Sequence, residues 1–341
     1  MALHYFRILY ASQGGPEQPV TTKAGPTLRE PGGDYEGMHK QLKRVFNAKP
    51  GKRYGRFSTD LGDAPVQAWL KDYLEEKQSF ESLTDKLLAQ WGELLGTVDL
   101  DYQGAIAIAH EQLAEGQVLY IWGLETDASL FLDNRLSLDQ GETLSLSRLN
   151  LAARIEVDDW LAAEPAQNYI TLVQARGTGD LGERFAQLAG FESSVDVDKE
   201  TQTFLDAVEA FAREGDAGKA QAVRTRAYEF CKDQGAAGEP VPLEALSGYL
   251  DEENPERFTE FVSQAQSLPA QTVLHPDQRK VRKLVRISGT GNGLSVSFSS
   301  DLMNQAVYYD RNQGQLTITK VPKALREQLD RYLERGQEDN T

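Results

Sequence analysis

The sequence predicts an α+β protein: an N-terminal antiparallel sheet with flanking helices, then a helical segment and a C-terminal β-meander with a closing helix. Residues 149–157 place apolar side chains at alternate positions, as in a strand buried on one face, and residues 169–173 follow closely enough to pair with it. Apolar residues recur at the helical period within residues 66–95 and again from residue 180 to residue 266. Strands that follow one another without an intervening helix favour an antiparallel sheet.

The N-terminal half supplies the predicted sheet. Residues 4–10 alternate as in an edge strand, and the Gly- and Pro-rich stretch 11–37 is expected to be a loop. Short apolar runs at 105–109 and 118–122 lie on either side of Gly116, which predicts a β-hairpin.

The length of 341 residues suits two domains. We place the first at residues 1–176 and the second at residues 177–341. Within the second, we expect helices over 178–266, the β-meander over 281–319 and the final helix over 322–334, because turn residues separate the apolar runs there.

Residues 37–59 form a block with no acid and seven cations, here called the first basic window. The cations are Lys40, Lys43, Arg44, Lys49, Lys52, Arg53 and Arg56. Met38, Leu42 and Phe46 fall at helical spacing, so the first three cations are expected on the opposite face of a helix. A Pro-Gly pair ends that helix near Lys49, and residues 49–57 are expected to be a cationic, aromatic loop.

A second basic window, residues 278–300, also lacks acids; its cations are Arg279, Lys280, Arg282, Lys283 and Arg286. The chain has a net charge of −16 and the two windows hold twelve cations, so the remainder sums to −28. This asymmetry indicates an acidic body with basic contact patches, or two surfaces for different partners. The alternatives are a solvated helix face with a flexible loop for the first window, and cations that guard an exposed strand edge for the second.

Motifs for catalysis or cofactors are weak. The four histidines lack metal-ligand spacing, and the single cysteine excludes a multi-cysteine metal site. His110-Glu111 and Asp158-Asp159 are carboxylate-bearing strand ends, and they are the only candidates that a metal-dependent nuclease could use. The run 289–293 is followed by a strand, which favours a turn over a phosphate-binding loop. We therefore expect no enzyme activity, no cofactor and, from the lack of a long apolar run, no membrane span.

Three parts of the chain, taken in order, resemble one family. They read KRVFNAK and YGRFS over residues 43–58, ARIE and YITL over 153–172 with a tryptophan between them, and GTGNGLSVSF over 289–298 with a closing LREQL helix at 325–329. Their order and spacing resemble the bacterial nucleoid-associated protein family of YejK, also called NdpA.

The resemblance implies a cytoplasmic, nucleoid-localised protein that binds double-stranded DNA with little sequence preference and has no enzymatic activity. It also implies a link to topoisomerase, which the residues themselves do not show.

Our leading hypothesis is a non-enzymatic DNA-binding protein whose twelve window cations contact phosphates. The second window would lie on the same face as the first or on the other subunit of a homodimer. One alternative is an acidic interaction protein that binds or regulates a DNA-processing enzyme such as a topoisomerase. Another is a phosphodiester-cleaving enzyme that uses Asp158, Asp159 or His110.

Overall fold

The computed structural model describes residues 2–15, 18–60, 64–132, 135–266, 269 and 272–338. The chain forms two compact units. The first unit comprises Met1–Phe204, Cys231–Leu243 and Gln271–Gln278, and the second comprises Leu205–Phe230, Glu244–Ala270 and Arg279–Thr341. The domain boundary after residue 176 stays a prediction.

One large antiparallel sheet dominates the first unit. Its strands are β1 (Ala2–Gly14), β2 (Thr21–Ala24), β3 (Leu28–Arg29), β4 (Arg53–Phe57), β5 (Asp101–Gln112), β6 (Gln117–Leu132), β7 (Leu138–Leu144), β8 (Leu151–Glu156), β9 (Ile170–Gln174) and β10 (Phe191–Ser193). Their order across the sheet is β10-β4-β9-β8-β6-β5-β1-β2, with β3 paired to β1 and β7 paired to β6. The β5–β6 hairpin around Gly116 and the pairing of β8 with β9 confirm two sequence predictions.

Helices cover both faces of this sheet. They are α1 (Asp34–Ala48), α2 (Pro65–Leu74), α3 (Phe80–Leu95), α4 (Val157–Leu161) and α5 (Gly179–Leu188). One face presents Phe6, Tyr120 and Trp122 to α1. The other presents Ile108 and Ile121 to α2, α3 and α5. The central strands are buried on both sides, so their apolar residues run without a break.

The N-terminal strand is not the edge strand that the sequence predicts. β1 pairs with β5 along one side, while β2 and β3 pair with it along the other. Both short strands come from residues 11–37, which are therefore only partly a loop. Their Gly and Pro residues mark the turns between strands, and the apolar pattern within each strand is too short to be read from the sequence.

The second unit contains most of the remaining helices. Their bounds are α6 (Val197–Ala212), α7 (Ala217–Ala237), α8 (Leu243–Leu250), α9 (Arg257–Gln266), α10 (Gln278–Val281) and α11 (Lys323–Glu338), and residues of α6 and α7 belong to both units. The ring of Phe211 packs against Phe258 at 5.1 Å and against Phe261 at 5.4 Å. A small pair of strands, β11 (Val241–Pro242) and β12 (Val273–Leu274), belongs to the first unit.

The C-terminal strands form two separate hairpins and not one continuous meander. They are β13 (Arg286–Gly291) paired with β14 (Leu294–Ser299), and β15 (Val307–Asp310) paired with β16 (Gln315–Ile318). A 3-10 turn at Ser300–Leu302 ends the first hairpin before the second begins. The sequence alternation predicted the strands but could not predict which strands pair. The α+β class itself, with the closing helix α11, is confirmed. Among the helices described, none is long and apolar enough to cross a bilayer.

Candidate nucleic-acid interface

The first basic window begins on α1, which packs its apolar side against the large sheet. Leu42 and Phe46 are fully buried there, as the helical spacing predicts. Arg44 lies on the exposed side of the helix. Lys40 is also exposed, and its Nζ lies 2.6 Å from Oε1 of Glu36, one turn earlier. An exposed pair of this kind contributes little to stability, so Lys40 can exchange Glu36 for another anion.

Lys43 is held inside the unit by a buried carboxylate. Its Nζ donates to Oε2 of Glu111 at 2.7 Å, and Nε2 of His39 lies 3.2 Å from the same oxygen. Burial alone would raise the pKa of Glu111, but hydrogen bonds from His39 and Lys43 outweigh it and hold the pKa below its usual value. Lys43 therefore connects α1 to β5 and contributes to the fold.

Residues 53–57 are not the loop that the sequence predicts, because they form strand β4. β4 pairs with β9 on one side and with β10 on the other. A Cβ atom on Gly55 would lie 2.0 Å from the backbone oxygen of Glu192, so the close approach of β10 requires glycine at this position. The Pro-Gly pair and the cations are typical of a loop, and the two strands that pair with β4 lie far away in sequence. Local spacing therefore could not predict this strand.

Lys52 is largely removed from solvent beside the end of α1. Its Nζ donates to the backbone oxygen of Asn47 at 2.8 Å and lies 5.3 Å from the ring centre of Phe46. Burial, followed by the nearby charge of Arg154, lowers the pKa of Lys52 to about 8. The charged form of Lys52 is therefore costly to the fold, and the side chain is poorly placed to reach a phosphate.

The two arginines of β4 point to opposite faces of the sheet, since they stand three residues apart on one strand. Arg53 donates to Oε1 of Gln174 at 2.6 Å and stacks over the ring of Phe191 at 5.1 Å. Arg56 donates to Oε1 of Gln167 at 2.6 Å. The first basic window therefore does not form one continuous cationic surface.

The aromatic residues of β4 anchor the strand. Phe57 is buried in the main core, and the ring of Tyr54 packs against His275 at 4.2 Å. Of the seven cations in the first window, only exposed Arg44 and half-buried Lys49 form no side-chain hydrogen bond or ion pair with any described residue.

The second basic window begins as a helical turn, and the β-meander that the sequence predicts from residue 281 begins only at Arg286. Arg279 and Lys280 lie on α10, and Arg282 and Lys283 lie on the 3-10 turn Arg282–Leu284. Only Arg286 lies on a strand, at the start of β13. Val281 and Leu284 are buried, which explains the helical spacing of the apolar residues in this stretch.

Three cations of this window are exposed beside one another in sequence: Arg282, Lys283 and Arg286. No carboxylate among the residues that the structure describes pairs with any of them. Arg286 donates from Nη2 to Oγ of Ser297 at 2.9 Å, across the hairpin. A neutral hydroxyl leaves the charge of the guanidinium uncompensated.

The hairpin β13–β14 has one face made of hydroxyl groups, here called the hydroxyl ribbon. Directly paired residues of an antiparallel ladder share a face, and the pairs are Arg286 with Ser299, Ser288 with Ser297 and Thr290 with Ser295. The ribbon is therefore one arginine and five hydroxyls. The opposite face carries the apolar residues of both strands.

Asn292 and Gly293 close this hairpin in a two-residue turn. Both have positive φ angles, 50° and 77°, as a type I′ turn requires. The turn confirms the interpretation of the glycine run as turn geometry. The sequence analysis missed the five hydroxyls, although the alternation of Ser and Thr along both strands was a signal for them.

The carboxylate pairs considered for nuclease chemistry are occupied by structural contacts. The His110 ring contacts Tyr73 Oη at 2.8 Å and Gln117 at 3.1 Å, and burial lowers its pKa to about 4. Oδ2 of Asp158 accepts a hydrogen bond from the backbone of Gln117 at 3.2 Å. No group of three His, Cys, Asp or Glu residues in the described ranges has the geometry to hold a metal ion.

Comparison with known proteins identifies the family. The family described as nucleoid-associated protein YejK matches residues 8–326. A nucleoid-associated protein of Metapseudomonas resinovorans is 30% identical over 303 residues, which cover 87% of this chain and 89% of the relative. One from Azotobacter vinelandii is 30% identical over 298 residues, covering 87% of this chain and 88% of the relative. The resemblance found in the sequence is thereby confirmed. The chain belongs to the YejK family of nucleoid-associated proteins, which are cytoplasmic proteins of the bacterial nucleoid.

Proposed function

We propose that this protein binds double-stranded DNA through phosphate contacts made by the hydroxyl ribbon and the cations beside it. Arg282, Lys283 and Arg286 supply positive charge that no described carboxylate neutralises. Serine and threonine hydroxyls donate hydrogen bonds to phosphate oxygens. Phosphate contacts position a protein on the duplex without reading bases, so the binding has little sequence preference.

The distribution of charge supports this surface over the rest of the chain. Residues 279–341 carry eleven Lys and Arg against seven Asp and Glu, a net charge of +4. Since the whole chain has a net charge of −16, the residues before them carry −20. DNA is repelled by most of the molecule and attracted to this part, which orients the approach.

The first basic window contributes to binding through Arg44 and Lys49. Its other cations, and Arg279 and Lys280 of the second window, stay predictions as DNA contacts. So do association with a topoisomerase and the absence of an enzymatic activity.

The test is a salt series on a short duplex followed by fluorescence anisotropy. Replacing Arg282, Lys283 and Arg286 together by Ala should make the slope of log K against log salt less negative by about 2.7, since each lost phosphate contact removes about 0.9. The same arithmetic gives a loss of affinity of several hundredfold at about 0.1 M salt.

The matched control replaces Lys71, Lys77 and Lys199, exposed lysines outside both windows, by Ala. It removes the same charge and should change the affinity by no more than about twofold, since screened distant charges act weakly. Equal losses in both triple variants would mean that net charge alone governs binding. Wild-type affinity in the first variant would exclude the hydroxyl ribbon and its cations as the contact.

A further inference from the structure

The closing helix carries an exposed apolar stripe. Leu325, Leu329, Tyr332 and Leu333 fall at i, i+4, i+7 and i+8 on α11, which is one face of the helix. Their exposed fractions are 45%, 47%, 76% and 65%. Every residue of α11 whose exposure is described is exposed. An isolated helix of this length is only marginally stable in water. Packing of the α11 stripe against an apolar surface would therefore stabilise the helix.

The same unit presents a second exposed apolar surface. The inner faces of the two C-terminal hairpins enclose a groove of about 400 Å³. We call it the hairpin groove, and its apolar lining is Ile287, Val296, Phe298, Met303, Tyr309 and Leu316. It lies on the face of β13–β14 opposite the hydroxyl ribbon. The apolar lining of the groove and the proposed DNA surface therefore lie on opposite faces, and Ser288 of the ribbon also borders the groove.

We propose that α11 of one copy docks its stripe into the hairpin groove of a second copy, and that the exchange is reciprocal. Each chain carries both halves of the contact, so two copies can satisfy each other in one closed, twofold arrangement. No partner of different composition is needed to cover either surface.

The exposed area is sufficient for a stable dimer. The four stripe residues and five apolar side chains of the two C-terminal hairpins, which are Ile287, Leu294, Tyr309, Leu316 and Ile318, are each between 39% and 76% exposed. At roughly 150 Å² for each fully exposed side chain, they present on the order of 700 Å² per chain, or about 1,400 Å² for two chains. Stable interfaces bury about 1,200–2,000 Å² in total, and an apolar patch on a monomer rarely exceeds about 600 Å².

The charge of α11 suits contact with a second copy. Lys323–Glu338 contains four Lys and Arg and four Asp and Glu, which gives a net charge of zero. Two copies of a chain with a net charge of −16 repel each other, and contact through a neutral helix and the cationic C-terminal stretch minimises that repulsion.

Sedimentation equilibrium of the full chain at micromolar concentration tests the proposal. We expect a dimer for the wild type. Leu329→Glu in the stripe and Leu316→Glu in the groove should each raise the dissociation constant by roughly a hundredfold or more, since a buried, unpaired carboxylate is costly. Ala324→Glu adds the same charge to the same helix away from the stripe, and should remain dimeric.

A mixing experiment separates exchange from simple helix–helix pairing. In a mixture of the Leu329→Glu and Leu316→Glu variants, one helix and one groove stay intact, so exchange predicts that the mixture associates more tightly than either variant alone. Helix–helix pairing predicts instead that Leu316→Glu stays dimeric by itself. Tyr332→Lys repeats the stripe test at the most exposed position of the stripe, where substitution cannot disturb the monomer.

A wild-type chain that is monomeric in this experiment overturns the proposal, as does a Leu316→Glu variant that dimerises like the wild type. Circular dichroism of each variant verifies that loss of association is not loss of fold. Because these variants leave the hydroxyl ribbon intact, DNA affinity of the monomeric variants reports separately on the proposed function.

Discussion

The two basic windows have similar composition but different surroundings. In the first, four cations form hydrogen bonds within the fold. Lys43 donates to Glu111 and Lys52 donates to a backbone oxygen, while Arg53 and Arg56 each donate to a glutamine. In the second, three cations stand in solvent with no described carboxylate beside them. A local surplus of cations in a sequence can therefore hold elements together or remain exposed, and we propose that the exposed cations contact DNA. What distinguishes them is whether the surrounding fold supplies oxygen atoms within reach.

The largest effect should come from breaking the structural use of a cation in the first window. Lys43→Met leaves the buried Glu111 carboxylate with only His39, and should lower the free energy of unfolding by about 3 kcal/mol at neutral pH. Lys40→Met, on the same helix, removes an exposed pair and should cost less than about 0.5 kcal/mol. Urea denaturation of both variants measures the difference. Equal costs would mean that Lys43 is not held as the structure indicates.

The pH dependence of stability should report on Lys52. Since its pKa in the folded state is lowered to about 8, the unfolded chain binds more protons between pH 8 and the usual lysine pKa near 10.5. The free energy of unfolding should therefore rise as the pH increases through this range, by about 3 kcal/mol. In Lys52→Met this rise should be absent. Urea denaturation at a series of pH values compares the two proteins, and identical slopes would argue against the burial of a charged Lys52.

A smaller effect should separate the contact residues of the first window from its structural ones. Arg44→Ala with Lys49→Ala should weaken DNA binding by roughly tenfold or more at about 0.1 M salt, because each removes one phosphate contact. Lys40→Ala alone is the control on the same helix, and should change affinity by no more than about twofold, since the charge of Lys40 is already paired with Glu36. Anisotropy titrations give both values. An unchanged affinity in the double variant would restrict the contact to the second window.

The smallest effect should come from the hydroxyl ribbon. Ser288→Ala with Ser295→Ala should weaken binding by about fivefold, because two hydrogen bonds from neutral hydroxyls to phosphate are lost, each worth about 0.5 kcal/mol in water. The slope against salt should not change, since no counterion is released by a hydroxyl. A salt series on this variant separates the two effects. A changed slope would show that the substitutions had moved Arg286, which donates to a neighbouring serine.

The sequence was sufficient for the class of fold and for most elements with a strong apolar period. α1, the β5–β6 hairpin and the pairing of β8 with β9 follow from local spacing, since their partners are near in the chain. β4 could not be found in this way. Its strand conformation depends on β9 and β10, more than a hundred residues away, while its own residues include a glycine and two arginines that are common in loops.

The position of the candidate site in the sequence was predictable, but which cations are exposed and which are held by the fold was not. The acid-free stretch predicted Arg282, Lys283 and Arg286 as contact residues, and all three side chains are exposed. That Lys43 and Lys52 would be held by the fold could not be predicted, because Glu111 and Asn47 become their partners only through tertiary packing and the end of a helix. Alternation along a strand also does not predict that the apolar face of β13–β14 is exposed beside a second hairpin.

If the ribbon of five hydroxyls and one arginine contacts DNA as we propose, it affects how DNA binding responds when the cell loses water. As internal potassium rises under osmotic stress, a protein held on the chromosome by charge alone is released steeply, because every ionic contact competes with the added ions. Contacts made by neutral serines do not compete in this way. A protein that binds DNA through few charges and several hydroxyls would stay bound over a wider range of internal ionic strength than a protein that binds through many lysines.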